Sequence, residues 1–126
     1  MLGITKEVSG EFEEVVGRVK EALKQEGFGI LCEIDVKETL KQKLGVEFED
    51  YLILGACNPP YAHSVLEESK EFGLLLPCNV VVYREGGTVY VSAIRPTALA
   101  GFSESEVIRD VAFEVEDKLK KVVESL

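Results

Sequence analysis

Two Cys-Asn pairs are the residues of this chain whose types and spacing are best suited to chemistry. Cys57 and Asn58 lie in the segment LGACNPPYAH, and Cys78 and Asn79 lie in the segment LLLPCNVVV. A thiol can act as a nucleophile, a redox group or a ligand for a soft metal, and an asparagine amide donates hydrogen bonds to an anion or a carbonyl. If the two pairs meet in the fold, they predict a ligand-binding site.

A metal-binding alternative adds the single histidine of the chain. A two-thiol site of Cys57 and Cys78 suits redox exchange or a soft metal such as zinc or copper(I), and His63 is the candidate third ligand. Helical spacing weakens this assignment, because His63 aligns with Glu67 and Lys70 on a polar face. Free cysteine is also a common core residue, so buried strand ends are the favoured interpretation of both thiols.

The composition describes one globular domain and excludes several partners. The chain has 126 residues, of which 46% are hydrophobic, as is typical of a single domain with one core. Its formal net charge is −9, with 14 basic residues against 23 acidic ones, so nucleic acid and anionic membranes are poor partners. No apolar run approaches the ~20 residues that cross a bilayer, and no secretory leader is recognisable, so a cytoplasmic protein is expected. Three cysteines without Cys-x-x-Cys spacing indicate no disulfide framework.

Hydrophobic periodicity and turn residues predict the element order β-α-β-α-β-α-β-β-α. Strands are predicted over residues 3–9, in FGILCEIDV, in YLILGAC and in both arms of a hairpin turned at the Gly-Gly of REGGTV. Helices are predicted after the first three strands and at the C-terminus. Asn58 is expected to cap a helix that ends near Phe72, and Ser103 with Glu106 to form the capping box of the last helix.

These elements predict an α+β fold in the form of a two-layer sandwich. The hairpin makes the sheet mainly antiparallel, and the two long helices, each with one apolar face, must pack on the same side of it. In FGILCEIDV, alternation places Cys32 on the core side with its apolar neighbours. The other sheet face meets solvent or a partner, which makes a homodimer plausible. The apolar residues expected there are Leu31, Val81, Tyr83, Val89 and Val91.

The two Cys-Asn pairs meet if the strands that carry them are neighbours. If the strand that ends at Cys57 is antiparallel to the strand that begins at Cys78, the intervening helix returns the chain to the same end of the sheet. Cys57 also precedes a helix N-terminus, whose free N–H groups favour a thiolate. The segment PTALAGF, residues 96–102, is expected to form a loop that covers this end of the sheet.

The segment YLILGACNPPYAHSVLEESKEFGLLLPCNVVVY combines a Cys-Asn-Pro-Pro turn with a Leu-Pro-Cys strand entry. With these features the chain resembles the bacterial and archaeal family named domain of unknown function 302. The resemblance extends through EGFGILCEIDVKETLKQKLG and VSAIRPTAL to nearly the whole chain. It implies a single domain over residues 1–126, a layout similar to the TATA-binding-protein-like fold and a tendency to form homodimers. It implies no reaction.

Three functional hypotheses follow. The favoured one is a non-enzymatic cytoplasmic homodimer that binds a small ligand or a partner near Cys57, Asn58, Cys78 and Asn79. The alternative is a thiol-based redox or soft-metal protein that uses Cys57 and Cys78, with zinc or copper as the metal. An enzyme of another kind is disfavoured, because the sequence holds no complete set of nucleophile, base and orienting group and no phosphate or dinucleotide motif.

Overall fold

The computed structural model describes residues 2–101 and 103–126, and its main elements follow the predicted order. The strands are β1 (Gly3–Val8), β2 (Gly29–Asp35), β3 (Tyr51–Cys57), β4 (Cys78–Glu85) and β5 (Thr88–Ile94). The helices are α1 (Phe12–Gln25), α2 (Val36–Leu44), α3 (Pro59–Glu68), α4 (Pro96–Ala100) and α5 (Glu106–Glu124), and a 3₁₀ helix covers Lys70–Leu75. Phe102, the last residue of the predicted loop 96–102, lies outside the described residues.

The five strands form one sheet in the order β1-β5-β4-β3-β2, and every neighbouring pair is antiparallel. The prediction of an α+β fold with a mainly antiparallel sheet is therefore confirmed. β3 and β4 are neighbours, and Ala56 lies opposite Cys78 in their register. The chain thus leaves β3 and enters β4 at the same end of the sheet. The likeness to the TATA-binding-protein-like fold stays a prediction.

The turn between β4 and β5 has the predicted two-residue form. Gly86 and Gly87 have φ angles of +59° and +89°, a backbone conformation that only glycine adopts at low cost. Positive φ at both central residues gives a turn whose twist matches that of the flanking strands. The turn therefore fixes the register in which β4 pairs with β5.

The core lies between one face of the sheet and the two long helices. α1 buries Val15, Val19 and Leu23 completely, and α5 does the same with Leu119. These side chains recur at helical spacing, so each helix presents a continuous apolar stripe to the sheet. They pack in one cluster with the inward-facing residues of β3, β4 and β5. The predicted two-layer arrangement follows from this single cluster.

Two helix boundaries differ from the predicted ones. The N-cap of α5 is Ser105, whose Oγ accepts a hydrogen bond from the backbone N–H of Ile108 at 3.3 Å. Ser103, the predicted cap, instead accepts a bond from the N–H of Ser105 at 3.0 Å and so shapes the turn before the helix. α3 ends at Glu68 rather than near Phe72, because the chain tightens there into the 3₁₀ helix.

A β-bulge in β2 overturns the predicted alternation of that strand. The register with β3 shifts between Ile30 and Cys32, so that Leu31 is an extra residue. A one-residue insertion moves the following side chains to the opposite face. Cys32 is consequently exposed and lies over Gly55, where an added Cβ would be 2.5 Å from the Cys32 Sγ atom. The prediction that Cys32 belongs to the core was wrong.

The side of the sheet opposite α1 and α5, called here the outer face, carries only part of the apolar set that was predicted for it. Val89 and Val91 are 4% and 0% exposed and belong to the core. Their neighbours on β5, Tyr90 and Ser92, point outward instead because side chains alternate along a strand. Of the predicted set, Leu31, Val81 and Tyr83 remain outside the core cluster.

Candidate ligand-binding cavity

An apolar cavity of about 70 Å³ lies where β3 ends and β4 begins, and it adjoins three of the predicted site residues, Cys57, Asn58 and Cys78. Its walls come from the sheet, α3, the 3₁₀ helix, α4 and α5. Residues that represent these walls are Ala56, Cys57, Cys78, Val65, Leu75, Leu99 and Ala112. None of the described lining residues carries a side chain that is ionised at neutral pH, so the cavity suits an uncharged, mostly apolar ligand.

The two thiols lie near each other at this cavity. Cys78 is on the core-facing side of β4, opposite Ala56, and packs against the core cluster. Burial raises the pKa of the Cys78 thiol from its ordinary value of 9.0 to about 11, and the nearby Cys57 contributes in the same direction. Cys78 is therefore a protonated thiol at neutral pH, which is the form that neither attacks electrophiles nor binds metals.

Asn58 lines the cavity and occupies the predicted N-cap position of α3, but its side chain makes no capping hydrogen bond. Its Nδ2 donates a hydrogen bond to the backbone carbonyl of Glu26 at 3.1 Å, just after α1 ends. Pro59 and Pro60 occupy the first two positions of α3 and have no N–H to offer, which leaves the Asn58 side chain free for this contact. Gly27, with φ of +88°, lies against the same amide. Asn58 thus joins the end of α1 to the start of α3.

Asn79 and His63 do not reach the cavity. Asn79 is exposed and lines a groove on the outer face, because it follows the inward-pointing Cys78 by one residue in β4. His63 is on the solvent side of α3, where its Nε2 lies 2.8 Å from a carboxylate oxygen of Glu67. Within residues 2–101 and 103–126 there is no cluster of three or more His, Cys, Asp or Glu side chains able to hold a metal ion.

Helix α4 closes one side of the cavity and is held by Glu116 of α5. The Glu116 carboxylate accepts bonds from the Thr97 hydroxyl at 2.6 Å, the Thr97 N–H at 3.1 Å and the Arg95 guanidinium at 3.3 Å. Burial acts to raise the pKa of Glu116, but the Thr97 hydrogen bonds and the Arg95 charge outweigh it and lower the pKa below its usual value. Residues 96–100 of the segment predicted as a loop therefore form a short helix tied to α5.

Sequence reasoning missed Glu116 and Tyr61 as neighbours of the site. Tyr61 lines the cavity from α3, and desolvation and the adjacent Glu114 carboxylate raise its pKa. The segment from Pro96 onward was recognisable in the sequence, but the partner of Thr97 and of the preceding Arg95 is 19 or more residues away on α5. Hydrophobic periodicity shows which positions of a helix are polar. It does not show which distant residue a polar side chain will contact.

These features define a small α+β sandwich protein with an apolar cavity at one end of an antiparallel sheet. The family model described as "Domain of unknown function DUF302" matches residues 4–126, so the chain belongs to this family, as its sequence predicts. It is similar to a solved protein described as an uncharacterized conserved protein DUF302 from Bacillus stearothermophilus, with 38% identity, a TM-score of 0.91 and coverage of 98% of this chain and 97% of that one. No curated protein matches the chain. No helix in the described part of the chain is long and apolar enough to span a membrane.

Proposed function

We propose that the protein is a non-enzymatic cytoplasmic binding protein for a small uncharged ligand. The observation that carries the proposal is the apolar cavity at Cys57, Asn58 and Cys78, whose described lining has no ionised side chain. A buried charge without a partner is costly, so such a site selects against charged molecules. General acid–base chemistry is carried most often by histidine, a carboxylate or lysine, and the described lining holds none of these side chains.

The size of the cavity limits the ligand. An engineered dry cavity of about 150 Å³ binds benzene or xenon, whereas this one measures about 70 Å³. A ligand larger than a few atoms must therefore displace a wall. The 3₁₀ helix and the five-residue α4 are the shortest elements around the cavity, and we propose that they give way when the ligand enters.

The test combines small apolar probes with a variant that fills the cavity. Xenon and benzene are expected to shift the NMR signals of residues around Val65 and Leu99, and benzene to raise the melting temperature by mass action. Ala112→Leu, which adds side-chain volume to the lining, is expected to abolish both responses. Val107→Leu, on an exposed position of α5, is the matched control and should retain them. Unchanged probe binding in Ala112→Leu would refute the proposal.

The thiol-based alternative rests on the proximity of Cys57 and Cys78. Oxidation of the pair would form one disulfide and transfer two electrons and two protons to an oxidant. A soft metal would find only these two thiols, since His63 lies elsewhere, and structural zinc takes four ligands. Both chemistries need thiolates, which burial disfavours at Cys78. Cys57→Ser would abolish zinc or copper retention and disulfide formation if this alternative were correct.

Homodimerisation remains a prediction. Two of the five residues that supported it, Val89 and Val91, lie in the core. The outer face therefore offers less apolar area to a second copy than the sequence predicted. Light scattering on the purified protein at several concentrations gives the molar mass and decides the question.

A further inference from the structure

The outer face carries a row of stacked tyrosines that the cavity does not use. Tyr51, Tyr83 and Tyr90 lie directly opposite one another on β3, β4 and β5. Their ring centroids are 5.4 Å apart in each neighbouring pair, with interplanar angles of 17° and 21°. Phe48 extends the row, with its ring centroid 6.2 Å from that of Tyr51. We call these four residues the aromatic row.

A groove of about 780 Å³ runs beside the aromatic row. Its floor is lined by small or short side chains, among them Gly3, Val81 and Ser92. Gly3 leaves no room for a larger residue, since an added Cβ would lie 2.5 Å from the Ser92 Oγ atom. The groove is therefore a hollow in the outer face, and Phe48, Tyr51 and Tyr83 of the aromatic row line it.

Carboxylates outnumber cations around this groove. Arg84 lines it, but its guanidinium lies 3.2 Å from Asp50, and Lys37 pairs with the same carboxylate at 3.4 Å. Within the described part of the chain no lysine or arginine forms an ion pair with the four glutamates near the row, Glu7, Glu47, Glu49 and Glu85. The surface is thus aromatic and negatively charged.

The pKa values of two tyrosines in the row are raised, in part by these carboxylates. Desolvation raises the pKa of Tyr83, and the Glu85 carboxylate adds to it. Desolvation likewise raises the pKa of Tyr90, with Glu7 and Glu85 as the next causes. Carboxylates that disfavour a phenolate at these positions favour a cation above the same rings.

We propose that the groove beside the aromatic row binds an extended arginine-containing peptide segment of a partner protein. A guanidinium stacks on tyrosine faces and forms paired hydrogen bonds with a carboxylate. A lysine ammonium can lie over a tyrosine ring, but it lacks the planar fork that makes the paired hydrogen bonds. Alternate side chains of an extended peptide point the same way, so arginines two residues apart can reach the rings while the backbone occupies the groove. A second copy of this chain fits poorly, because it would bring a second set of the same glutamates.

The test titrates the protein with a synthetic heptapeptide of alternating glycine and arginine at 20 mM salt. Three of the four tyrosines belong to the aromatic row and the chain has no tryptophan, so tyrosine fluorescence reports directly on the site. Saturable quenching is expected, weakened at least tenfold at 300 mM salt. The same peptide with citrulline, a neutral analogue of arginine, is expected to bind at least tenfold more weakly. Absence of saturable binding, or equal binding of the citrulline peptide, would overturn the proposal.

Two variants locate the binding. Tyr83→Leu removes the middle ring and is expected to weaken binding about threefold to tenfold. Glu85→Gln is expected to weaken it and to reduce its salt dependence, whereas Glu13→Gln, the same charge change on α1 in the other layer, should leave it within twofold. Equal losses in both glutamate variants would mean unspecific attraction and contradict the proposal. The proposal would also be contradicted if Tyr83→Leu lowered the molar mass from that of a dimer to that of a monomer, because a second copy of the chain would then occupy this face.

Discussion

At the scale of single residues, the three cysteines occupy three different environments. Cys32 is exposed at the bulge of β2, Cys57 is half-buried at the end of β3, and Cys78 lies against the core. Reactivity requires both access and a thiolate. Cys78 is poorly accessible and mostly protonated, because burial both shields the thiol and raises its pKa. Cys32, which the sequence assigned to the core, is thus the most accessible of the three thiols.

Alkylation rates test this order. With iodoacetamide at pH 8, we expect Cys32 to react first, Cys57 more slowly and Cys78 slowest, since its thiolate fraction at that pH is about a thousandth. Peptide mass spectrometry after timed quenching gives the rate at each position. Cys32→Ser should remove the fast phase and leave the slow ones unchanged. Fast labelling of Cys78 in the native protein would contradict the structure and revive the thiol alternative.

The raised pKa of Cys78 also has a consequence for stability. The folded state raises the pKa of Cys78 above the ordinary value of 9.0 that applies in the unfolded chain. The protonated thiol therefore contributes its full stability to the folded protein below pH 9.0, and this contribution is lost as the pH rises through about 11. Between pH 8 and pH 11 we therefore expect the unfolding free energy of the native protein to fall by about 1–3 kcal/mol more than that of Cys78→Ala. Urea unfolding of both proteins measures the difference, and tyrosine titration cancels because both proteins share it. Parallel pH profiles would refute the assignment.

At the scale of elements, the sequence predicted best where the cause of a structure is local. The Gly86-Gly87 turn and the apolar stripes of α1 and α5 follow from φ angles and spacing within one segment. The capping serine was misplaced by two residues, because Ser103 and Ser105 both precede the helix and only the geometry of the turn selects between them. Asn58 lines the cavity, but the partner of its side chain, Glu26, is 32 residues away and leaves no local signal in the sequence.

The attachment of α4 to α5 is a testable property of these elements. Glu116→Gln is expected to destabilise the protein by about 1–3 kcal/mol, because the bonds to Thr97 and Arg95 lose their charge. Hydrogen exchange of the α4 amides should accelerate, whereas Asp117→Asn, on the exposed side of α5, should change neither quantity. No change in exchange at α4 would show that Glu116 does not hold the helix.

The same contact has a predictable pH dependence. Because the folded state lowers the pKa of Glu116, its contribution to stability is fully present above the ordinary carboxyl pKa of 4.5 and is lost as the pH falls through the lower folded-state pKa. The exchange rate at α4 in the native protein is therefore expected to approach that of Glu116→Gln below pH 4.5, after correction for intrinsic rates. A difference that stays constant as the pH falls below 4.5 would contradict this.

At the scale of the whole molecule, one core cluster joins both long helices to the sheet. Leu119 is fully buried in it, and Leu119→Ala is expected to cost about 2–5 kcal/mol. Val107→Ala, on the exposed side of the same helix, should cost less than about 0.5 kcal/mol. Since a single cluster holds both layers, unfolding followed by far-UV circular dichroism and by tyrosine fluorescence should give the same midpoint. Separate midpoints would show that the layers unfold independently.

The bulge in β2 has a consequence for how this molecule behaves when crowded with its own copies. β2 is an edge of the sheet, and an edge strand offers unpaired backbone groups on which another chain can add a strand and begin an aggregate. The extra residue Leu31 breaks the regular hydrogen-bonding repeat of that edge, and the acidic Glu33 and Asp35 follow it in the same strand. The irregularity that turned Cys32 outward therefore also makes β2 a poor template for fibrils. Deletion of Leu31 would restore a regular edge strand, and the deletion variant is therefore expected to aggregate during expression.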